Sequence, residues 1–279
     1  MNIIIYFLVT ILVLIISKKL NLFMDYPTQR KNHTLPTPQI GGIILFILLA
    51  IYSKNSIFIL LLLLLFGILD DMIKLSYKQK FVFEFLIAVY FVWKHKLTLF
   101  GYQNIFTDIF AIVWIVAFFN GINMIDGFNG LSTGVSIIYF STIGKFDISL
   151  MYLPIFIFNF YGKLFMGESG VLITGYLLLS SILKMENEMV FLTIFFGYPF
   201  YEVVASFTRR ILSKENPFIA DRKHLHHILH EKMGSAFLGI SYLLAYTFTL
   251  FPRNYVSIIY YLSISLFIFF IHFKLTKEK

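Results

Sequence analysis

The feature that most constrains this chain is a series of mainly apolar segments that occupies most of its 279 residues. Hydrophobic residues make up 58% of the sequence and charged residues only 14%. A soluble domain of this size could not bury so much apolar surface, whereas a helix of about 20 apolar residues can cross a lipid bilayer. Eleven such segments can be delimited, at residues 2–20, 40–53, 55–70, 80–94, 106–120, 131–144, 147–161, 170–183, 189–208, 235–250 and 255–273.

The pattern therefore predicts an all-α fold, a polytopic integral membrane helix bundle of about 11 transmembrane helices in one domain, residues 1–279. Two boundaries are weak, at residues 53–55 and 144–147, and each could separate two helices or interrupt one. Ten spans is therefore the alternative count. Segment 2–20 lacks a preceding basic region and a following small-residue cleavage site, so we expect a retained helix rather than a signal peptide.

The distribution of basic residues predicts how the helices are oriented. If the eleven segments alternate, 17 of the 23 basic residues fall on one side and 6 on the other. Positive residues are retained on the cytoplasmic side, so the N-terminus is expected outside and the C-terminus in the cytoplasm. This asymmetry explains the net charge of +8 without a nucleic-acid partner. The absence of cysteine excludes disulfides, thiolate metal sites and cysteine nucleophiles.

The unusual polar residues form clusters that the same alternation places on the cytoplasmic side. They lie at the ends of apolar segments, within residues 25–42, 70–74, 120–130, 167–170 and 221–227. We expect packing of the helices to bring these clusters together. Acids at the mouth of a membrane helix are costly unless they bind a cation or face water, which favours a functional role.

The residue types in these clusters indicate phosphate chemistry. Four side chains supply oxygen donors, from Asp70, Asp71, Asp126 and Glu168. Hard oxygen ligands suit Mg²⁺, with Mn²⁺ as the alternative, and such metals neutralise charge on a transferring phosphoryl group. Five basic side chains could hold further phosphate oxygens, those of Arg30, Lys31, Lys74, Arg222 and Lys223. The sequence therefore predicts a phosphoryl-transfer site at the membrane surface.

Four motifs together resemble one enzyme family. They are Asp-x-Pro-x-x-Arg-Lys-x-His-x-x-Pro-x-Pro-x-x-Gly-Gly from Asp25 to Gly42, Asp70-Asp71, Asn-x-x-Asn-x-x-Asp-Gly from Asn120, and Asp-Arg-x-His-Leu-His-His from Asp221. This combination resembles the polyprenyl-phosphate N-acetylhexosamine-1-phosphate transferases, which share a superfamily with the phospho-N-acetylmuramoyl-pentapeptide transferases. The resemblance covers about residues 20–232.

The resemblance implies an Mg²⁺-dependent phosphoglycosyltransferase of the bacterial inner membrane. It would transfer N-acetylhexosamine-1-phosphate, by default GlcNAc-1-phosphate, from a UDP-sugar to undecaprenyl phosphate. UMP would be released and a lipid-linked glycan begun. The alternative within this class is another donor, a UDP-N-acetyl deoxyhexosamine. The polyprenyl length, the downstream glycan and the existence of a homodimer are left open.

The resemblance also implies residue roles. Catalysis is expected from Asp70, Asp71 and Asp126, and the metal is expected at Asp71, Asp126 and Glu168. Substrate contacts are expected from Arg30, Lys31, His33, Lys74, Asn120, Asn123, Asn129, Arg222, Lys223, His224, His226 and His227. In this family Asp70 and Asp71 would orient or deprotonate the lipid phosphate, and the histidines would line the diphosphate or sugar.

The chain departs from the family pattern at two clear positions. Asn129 and Glu168 stand where the family usually has aspartate, and Glu202 is an acid three residues after Pro199. The longer side chain of Glu168 moves its carboxylate outward, and Asn129 keeps an oxygen donor but loses a charge. These changes leave the identity of the sugar open.

Two other kinds of protein are alternatives to this transferase. A polytopic cation transporter would place its acids near the middle of the bilayer, commonly on interrupted helices. Here the acids lie at segment ends beside basic and histidine-rich loops, which favours an enzyme. A lipid phosphatase would use its histidines on a phosphoryl intermediate and need no nucleotide.

Overall fold

The computed structural model describes residues 2–27, 34–52, 57–216 and 223–277. Within these ranges almost all regular structure is helical. The helices are α1 (Asn2–Leu20), α2 (Gly41–Tyr52), α3 (Ile57–Ile73), α4 (Tyr77–Lys94), α5 (Ile105–Ile125), α6 (Leu131–Thr142), α7 (Phe146–Phe160), α8 (Gly167–Ile182), α9 (Met189–Phe195), α10 (Gly197–Leu212), α11 (Leu225–Met233), α12 (Phe237–Thr249) and α13 (Val256–Lys277). Two short antiparallel strands, β1 (Met24–Asp25) and β2 (Thr37–Pro38), pair Met24 with Pro38.

Each predicted apolar segment corresponds to helical structure, with one division that the sequence analysis did not foresee. The segment 189–208 is not a single helix, because α9 and α10 meet at an angle of 92°. Gly197 and Pro199 lie in the first turn of α10. Proline is tolerated in a first turn, where N–H groups have no partner within the helix, and it disfavours a continuous helix through that point. The break at 144–147 is confirmed, since α6 ends at Thr142 and α7 begins at Phe146.

Helix α11 was missed by the search for apolar segments. Its sequence, LHHILHEKM, is mainly polar, yet Leu225, His226 and Ile228 are buried. Runs of apolar residues indicate membrane helices, so a short helix with three histidines gives no such signal.

Among the residues that the structure describes, three helices are long and apolar enough to cross a bilayer, at Ile3–Leu20, Ile105–Ile125 and Val256–Thr276. The bent pair α9 and α10 adds a fourth span if the two helices are counted as one. Three shorter helices, α2, α7 and α8, are also apolar. The prediction of an all-α, multi-pass membrane protein is confirmed. The count of about 11 spans stays a prediction.

The backbone contacts divide the chain into two compact units. The first contains residues 1–83 and 126–182, and the second contains residues 84–125 and 183–279. The prediction of a single domain is not tested by this division.

The core of the first unit is built around α8, which is buried along nearly its whole length. Small residues let α2 and α3 approach it closely. A Cβ atom added at Gly67 would lie 2.2 Å from the Ser169 Cα, and one added at Gly42 would lie 2.5 Å from the Gly170 backbone nitrogen. Because Gly67 lies about one turn before Asp70 and Asp71, this contact places the two acids beside the first turn of α8.

The core of the second unit is formed by α5 packed against α10. A Cβ atom added at Gly121 would lie 2.8 Å from the Pro199 carbonyl oxygen. The ring of Phe118 lies 4.7 Å from that of Phe196, centroid to centroid. The Trp114 indole donates a hydrogen bond of 2.7 Å to the Thr193 hydroxyl. These contacts hold the bent α9 and α10 pair on one long apolar helix.

Substitution of Gly67 tests the close packing of α3 on α8. We expect Gly67→Ala to destabilise the detergent-solubilised protein by about 1–3 kcal/mol, because the methyl group would overlap the Ser169 backbone. Gly239→Ala in α12 is the matched control, since a Cβ atom there would meet no atom within 4 Å. Thermal melting of both variants is the measurement. Equal melting temperatures for the two variants would contradict the packing.

Candidate functional site

One group of carboxylates in the first unit is named here the acidic cluster: Asp70, Asp71, Asp126 and Glu168. Asp70 and Asp71 occupy the last turn of α3, and Glu168 the first turn of α8. Asp126 follows α5 directly. Asp70 and Glu168 are buried, whereas Asp71 and Asp126 are half-buried.

Asp71 binds the start of α8. Both of its carboxylate oxygens accept the Glu168 backbone N–H, at 3.2 and 3.1 Å. Anions are favoured at this end of a helix, where N–H groups lack partners within the helix and the helix dipole is positive. Gly167 makes room for the contact, because it has φ of +67° and a Cβ atom there would lie 2.6 Å from Asp71 Oδ2. The backbone of α8 therefore holds Asp71 in place.

Lys80, in the first turn of α4, joins two members of the acidic cluster. Its Nζ lies 2.7 Å from Asp70 Oδ2 and 3.0 Å from Glu168 Oε2. Asp70 Oδ1 also accepts the Leu75 backbone N–H at 2.9 Å. Sequence reasoning did not select Lys80, because three lysines follow Asp71 closely and their spacing does not show which one turns inward. The predicted residue, Lys74, is exposed and its charge acts on Asp71.

Burial and mutual repulsion raise the pKa values of two acids. Burial, with smaller contributions from Glu168 and Asp71, raises the pKa of Asp126 to about 7 against a hydrogen bond from the Ser132 hydroxyl. Burial also raises the pKa of Asp71 to about 6, against the Glu168 backbone N–H and the charge of Lys74. The negative charges of ionised Asp71 and Asp126 are therefore only partly compensated by the protein. A bound divalent cation would stabilise the ionised form of both acids.

The donor types of the acidic cluster fit Mg²⁺, which prefers carboxylate oxygens, phosphates and water. No group of three or more His, Asp or Glu side chains converges as a metal-ligand set within the part of the chain that the structure describes. Mg²⁺ commonly binds through only one or two carboxylates, with substrate phosphates and water completing its shell. The arrangement is therefore chemically suited to a cation that arrives with a phosphorylated substrate.

Asn159, at the end of α7, connects the loop that follows Asp126 to the loop that precedes Glu168. Its Oδ1 accepts the Gly130 backbone N–H at 2.7 Å, and its Nδ2 donates to the Leu164 carbonyl oxygen at 3.0 Å. The side chain is buried. Sequence reasoning missed this residue, because a lone asparagine inside an apolar segment carries no motif.

The predicted amide residues have different environments. Asn123 and Asn129 are exposed, which leaves them accessible to a ligand. Asn120 is half-buried, and its Nδ2 donates to Glu84 Oε2 at 2.6 Å and to the Val116 carbonyl oxygen at 3.0 Å. Glu84, a buried acid in α4, was also missed by sequence reasoning.

A second group lies in the second unit and is named here the histidine cluster: Glu202, Ser206, His224 and His226. Glu202, fully buried in α10, accepts a hydrogen bond of 2.8 Å between its Oε1 and His226 Nδ1. Its carboxylate also accepts the backbone N–H groups of Leu225 and His226, at 3.2 and 3.3 Å. A single carboxylate thus binds the first turn of α11 and one of its histidines.

The remaining histidines surround this pair. His224 Nδ1 lies 2.8 Å from the Ser206 hydroxyl and 3.6 Å from Glu202 Oε2. The rings of His224 and His226 are stacked with centroids 5.4 Å apart, and the ring of His227 lies 4.5 Å from that of His226. Lys223 is paired with Glu215 at 3.2 Å. The structure thus supports the predicted grouping of these histidines and adds Glu202 as their common partner.

Four predicted substrate-binding residues, Arg30, Lys31, His33 and Arg222, lie outside the described residues. The structure brings Asp70, Asp71, Asp126 and Glu168 together in the first unit, and His224, His226 and His227 together in the second. The expectation that all polar clusters share one site stays a prediction. The assigned catalytic, metal-binding and substrate-binding roles likewise stay predictions.

Comparison with known proteins places the chain in a family. The sequence model described as glycosyl transferase family 4 matches residues 56–186. The undecaprenyl-phosphate alpha-N-acetylglucosaminyl 1-phosphate transferase of Thermotoga maritima is 35% identical over 237 residues, 83% of this chain and 80% of that protein. A probable undecaprenyl-phosphate N-acetylglucosaminyl 1-phosphate transferase of Bacillus subtilis is 31% identical, over 74% of this chain and 69% of that protein.

A more distant similarity extends to a second branch of the superfamily. The phospho-N-acetylmuramoyl-pentapeptide-transferase of Streptococcus pneumoniae is 32% identical over 209 residues, 59% of this chain and 64% of that protein. The Thermotoga similarity covers most of both sequences and includes the acidic cluster and the apolar helices around it. The chain therefore belongs to glycosyl transferase family 4, the membrane phosphosugar transferases that include undecaprenyl-phosphate N-acetylglucosaminyl 1-phosphate transferases and phospho-N-acetylmuramoyl-pentapeptide transferases.

Proposed function

We propose that this protein transfers GlcNAc-1-phosphate from UDP-GlcNAc to undecaprenyl phosphate and releases UMP. The product would begin a lipid-linked glycan at the cytoplasmic face of the bacterial inner membrane, with the N-terminus outside and the C-terminus inside. The observation that carries the proposal is the acidic cluster, in which Lys80 pairs with Asp70 and Glu168 and the first turn of α8 binds Asp71. The Thermotoga relative, an undecaprenyl-phosphate alpha-N-acetylglucosaminyl 1-phosphate transferase, supports the acceptor and the transferred group, and the UDP donor is part of our proposal.

The reaction needs an acceptor phosphate to attack a diphosphate. An oxygen of the lipid phosphate forms a bond to the β-phosphorus of the sugar nucleotide, and the bond from that phosphorus to the bridging oxygen breaks. UMP leaves with the electron pair. Protein catalysis of such a transfer consists mainly of positioning the two phosphates and compensating their charge. Asp70 and Asp71 would orient the lipid phosphate, and Asp71 would accept its remaining proton.

Charge compensation would come from a divalent cation and from basic side chains. Bound Mg²⁺ would neutralise the developing charge on the transferring diphosphate. One or two of the carboxylates of Asp71, Asp126 and Glu168 would bind it, with substrate phosphates and water as the other ligands and Mn²⁺ as the alternative ion. Lys80 would compensate the negative charge of Asp70 and Glu168 in their buried positions and so hold the two carboxylates in place.

The histidine cluster would bind the sugar nucleotide. Glu202 holds the Nδ1 side of His226, which directs the Nε2 side of that ring away from the carboxylate. Imidazole N–H groups, with Lys223 and Arg222, suit the oxygens of a diphosphate. Asn123 and Asn129, both exposed, would contact the nucleotide.

Release of UMP tests the proposed reaction. We expect the purified protein to form UMP when it is supplied with undecaprenyl phosphate, Mg²⁺ and UDP-GlcNAc, and to stop when EDTA removes the cation. A UDP-N-acetyl deoxyhexosamine is supplied in parallel, because Asn129 and Glu168 leave the sugar open. If no UDP-N-acetylhexosamine gives UMP, the proposed function is wrong, and ion flux or phosphate release from the lipid would indicate a transporter or a phosphatase.

Substitution of Asp71 tests the acidic cluster. We expect Asp71→Asn to lower the rate of UMP release by at least about 100-fold, the usual effect of losing a positioned acid or base. The melting temperature of the metal-free protein should not fall, since burial already disfavours the charge that the substitution removes. Asp147→Asn, at an exposed position in the first turn of α7, is the matched control. Wild-type turnover of Asp71→Asn would exclude the assigned role.

Substitution of Lys80 separates charge pairing from catalysis. Lys80→Met should lower the stability by roughly 1–2 kcal/mol, because Asp70 and Glu168 lose a partner that solvent partly screens. Adding Glu168→Gln should restore part of that stability while UMP release stays low. Lys78→Met, at an exposed position in the same helix turn, is the control. If the double variant melts below the single variant, the pairing of Lys80 with Glu168 does not hold the cluster.

A further inference from the structure

The helix α13 contains one histidine in a mainly apolar sequence. His272 is fully buried, and within Val256–Phe273 it is the one residue of the Asp, Glu, Lys, Arg and His types. An imidazole in such a helix is costly unless its nitrogens have partners. Its position also lies beyond residues 56–186, which the family's sequence model matches. A specific contact is therefore expected to explain why a polar ring is placed here.

Both ring nitrogens of His272 have a partner in the second unit. Nε2 lies 2.8 Å from the backbone carbonyl oxygen of Lys223, and Nδ1 lies 3.1 Å from the Tyr201 hydroxyl. A carbonyl oxygen can only accept, so Nε2 carries the proton of this bond. The Tyr201 hydroxyl then donates to Nδ1 of the neutral ring. The imidazole connects α10 to the residue that precedes His224.

This contact completes a two-sided restraint on the histidine segment, residues 224–227. On one side, Glu202 of α10 accepts the backbone N–H groups of Leu225 and His226. On the other side, His272 donates to the carbonyl oxygen of the peptide that joins Lys223 to His224. Tyr201, which orients the His272 ring, is the neighbour of Glu202 in α10. Glu202 thus restrains the segment directly from α10. Its neighbour Tyr201 acts indirectly, because it contacts His272 of α13, which donates to the Lys223 carbonyl oxygen.

We propose that His272 is a positioning residue, which holds the histidine segment in the conformation that binds the diphosphate or sugar of the nucleotide substrate. It acts through the Lys223 carbonyl oxygen and does not itself touch the substrate. The inference rests on the proposed function, because it concerns the affinity of the same site for a sugar nucleotide. It assigns to the C-terminal helix a part in substrate binding in addition to membrane anchoring.

Two polar substitutions of His272 test whether the hydrogen bond from Nε2 to Lys223 is the contact that matters. In His272→Gln, the amide nitrogen reaches the position of Nε2 and can still donate to Lys223. In His272→Asn, the shorter amide ends near the position of Nδ1 and cannot reach that carbonyl oxygen. Both variants replace the ring by a neutral amide of similar polarity, so they differ mainly in the restraint under test. Tyr201→Phe, which removes only the hydroxyl that orients the ring, is a milder second variant.

The kinetic measurement is the KM for each substrate in UMP release. We expect His272→Asn to raise the KM for UDP-GlcNAc about tenfold, the usual effect of losing one well-placed hydrogen bond. The KM for undecaprenyl phosphate and the melting temperature should stay close to wild type. His272→Gln should restore most of the affinity, and Tyr201→Phe should give a smaller increase. An unchanged KM in His272→Asn, or equal effects of Asn and Gln, would overturn the proposal.

Hydrogen exchange gives a measure that does not depend on turnover. In full-length protein, mass spectrometry of peptides covering residues 223–230 should show faster amide exchange in His272→Asn than in wild type or His272→Gln. Unchanged exchange would overturn the positioning role, and faster exchange with wild-type KM would reduce His272 to a structural contact. If wild-type protein releases no UMP from any UDP-sugar, the proposed function fails. The affinity for UDP is then measured by calorimetry. Weaker binding by His272→Asn than by His272→Gln would support the positioning role, and equal binding would overturn it.

Discussion

The close contact between α3 and α8 is the constraint on which the candidate site of the first unit depends. Gly67 has no side chain, so the backbone of α3 touches the backbone of α8 at Ser169. One turn farther along α3, Asp71 then accepts the Glu168 N–H in the first turn of α8, and Asp70 pairs with Lys80. Any side chain at Gly67 would separate the helices and move the carboxylates away from the groups that compensate their charge.

Both units use the same physical solution for a carboxylate that is partly or fully buried. Asp71 accepts an N–H at the start of α8, and Glu202 accepts two N–H groups at the start of α11. A helix N-terminus offers hydrogen-bond donors and a positive potential without a mobile side chain. In each case the contact also fixes the helix that carries the next functional residue, Glu168 in the first unit and His226 in the second.

Much of the fold could be predicted from the sequence, since every apolar segment is helical in the structure. The exceptions have physical causes. Hydropathy does not register the sharp break before Gly197, because the residues on both sides are apolar. It also misses α11, a mainly polar helix in which the buried His226 pairs with Glu202 beside the buried Leu225 and Ile228.

Candidate site residues could be predicted where they form motifs, as Asp70, Asp71, Asp126 and the histidines do. Several supporting residues could not, because Lys80, Glu84 and Asn159 are single polar residues within or beside apolar helices. Whether such a residue faces lipid, solvent or a carboxylate depends on helix rotation and packing, which no local pattern encodes.

The sequence by itself determined that this is a multi-pass helical membrane protein with oxygen-donor and histidine clusters at the ends of its helices, because lipid solvation requires long apolar segments and excludes unpaired polar groups from them. Only the tertiary structure decided which polar residues are partners. Lys80 with Asp70 and Glu168, Glu202 with α11, and His272 with Lys223 are separated widely in the chain. Hydrogen bonds and ion pairs act over a few ångströms, so only close packing of the helices could select these partners.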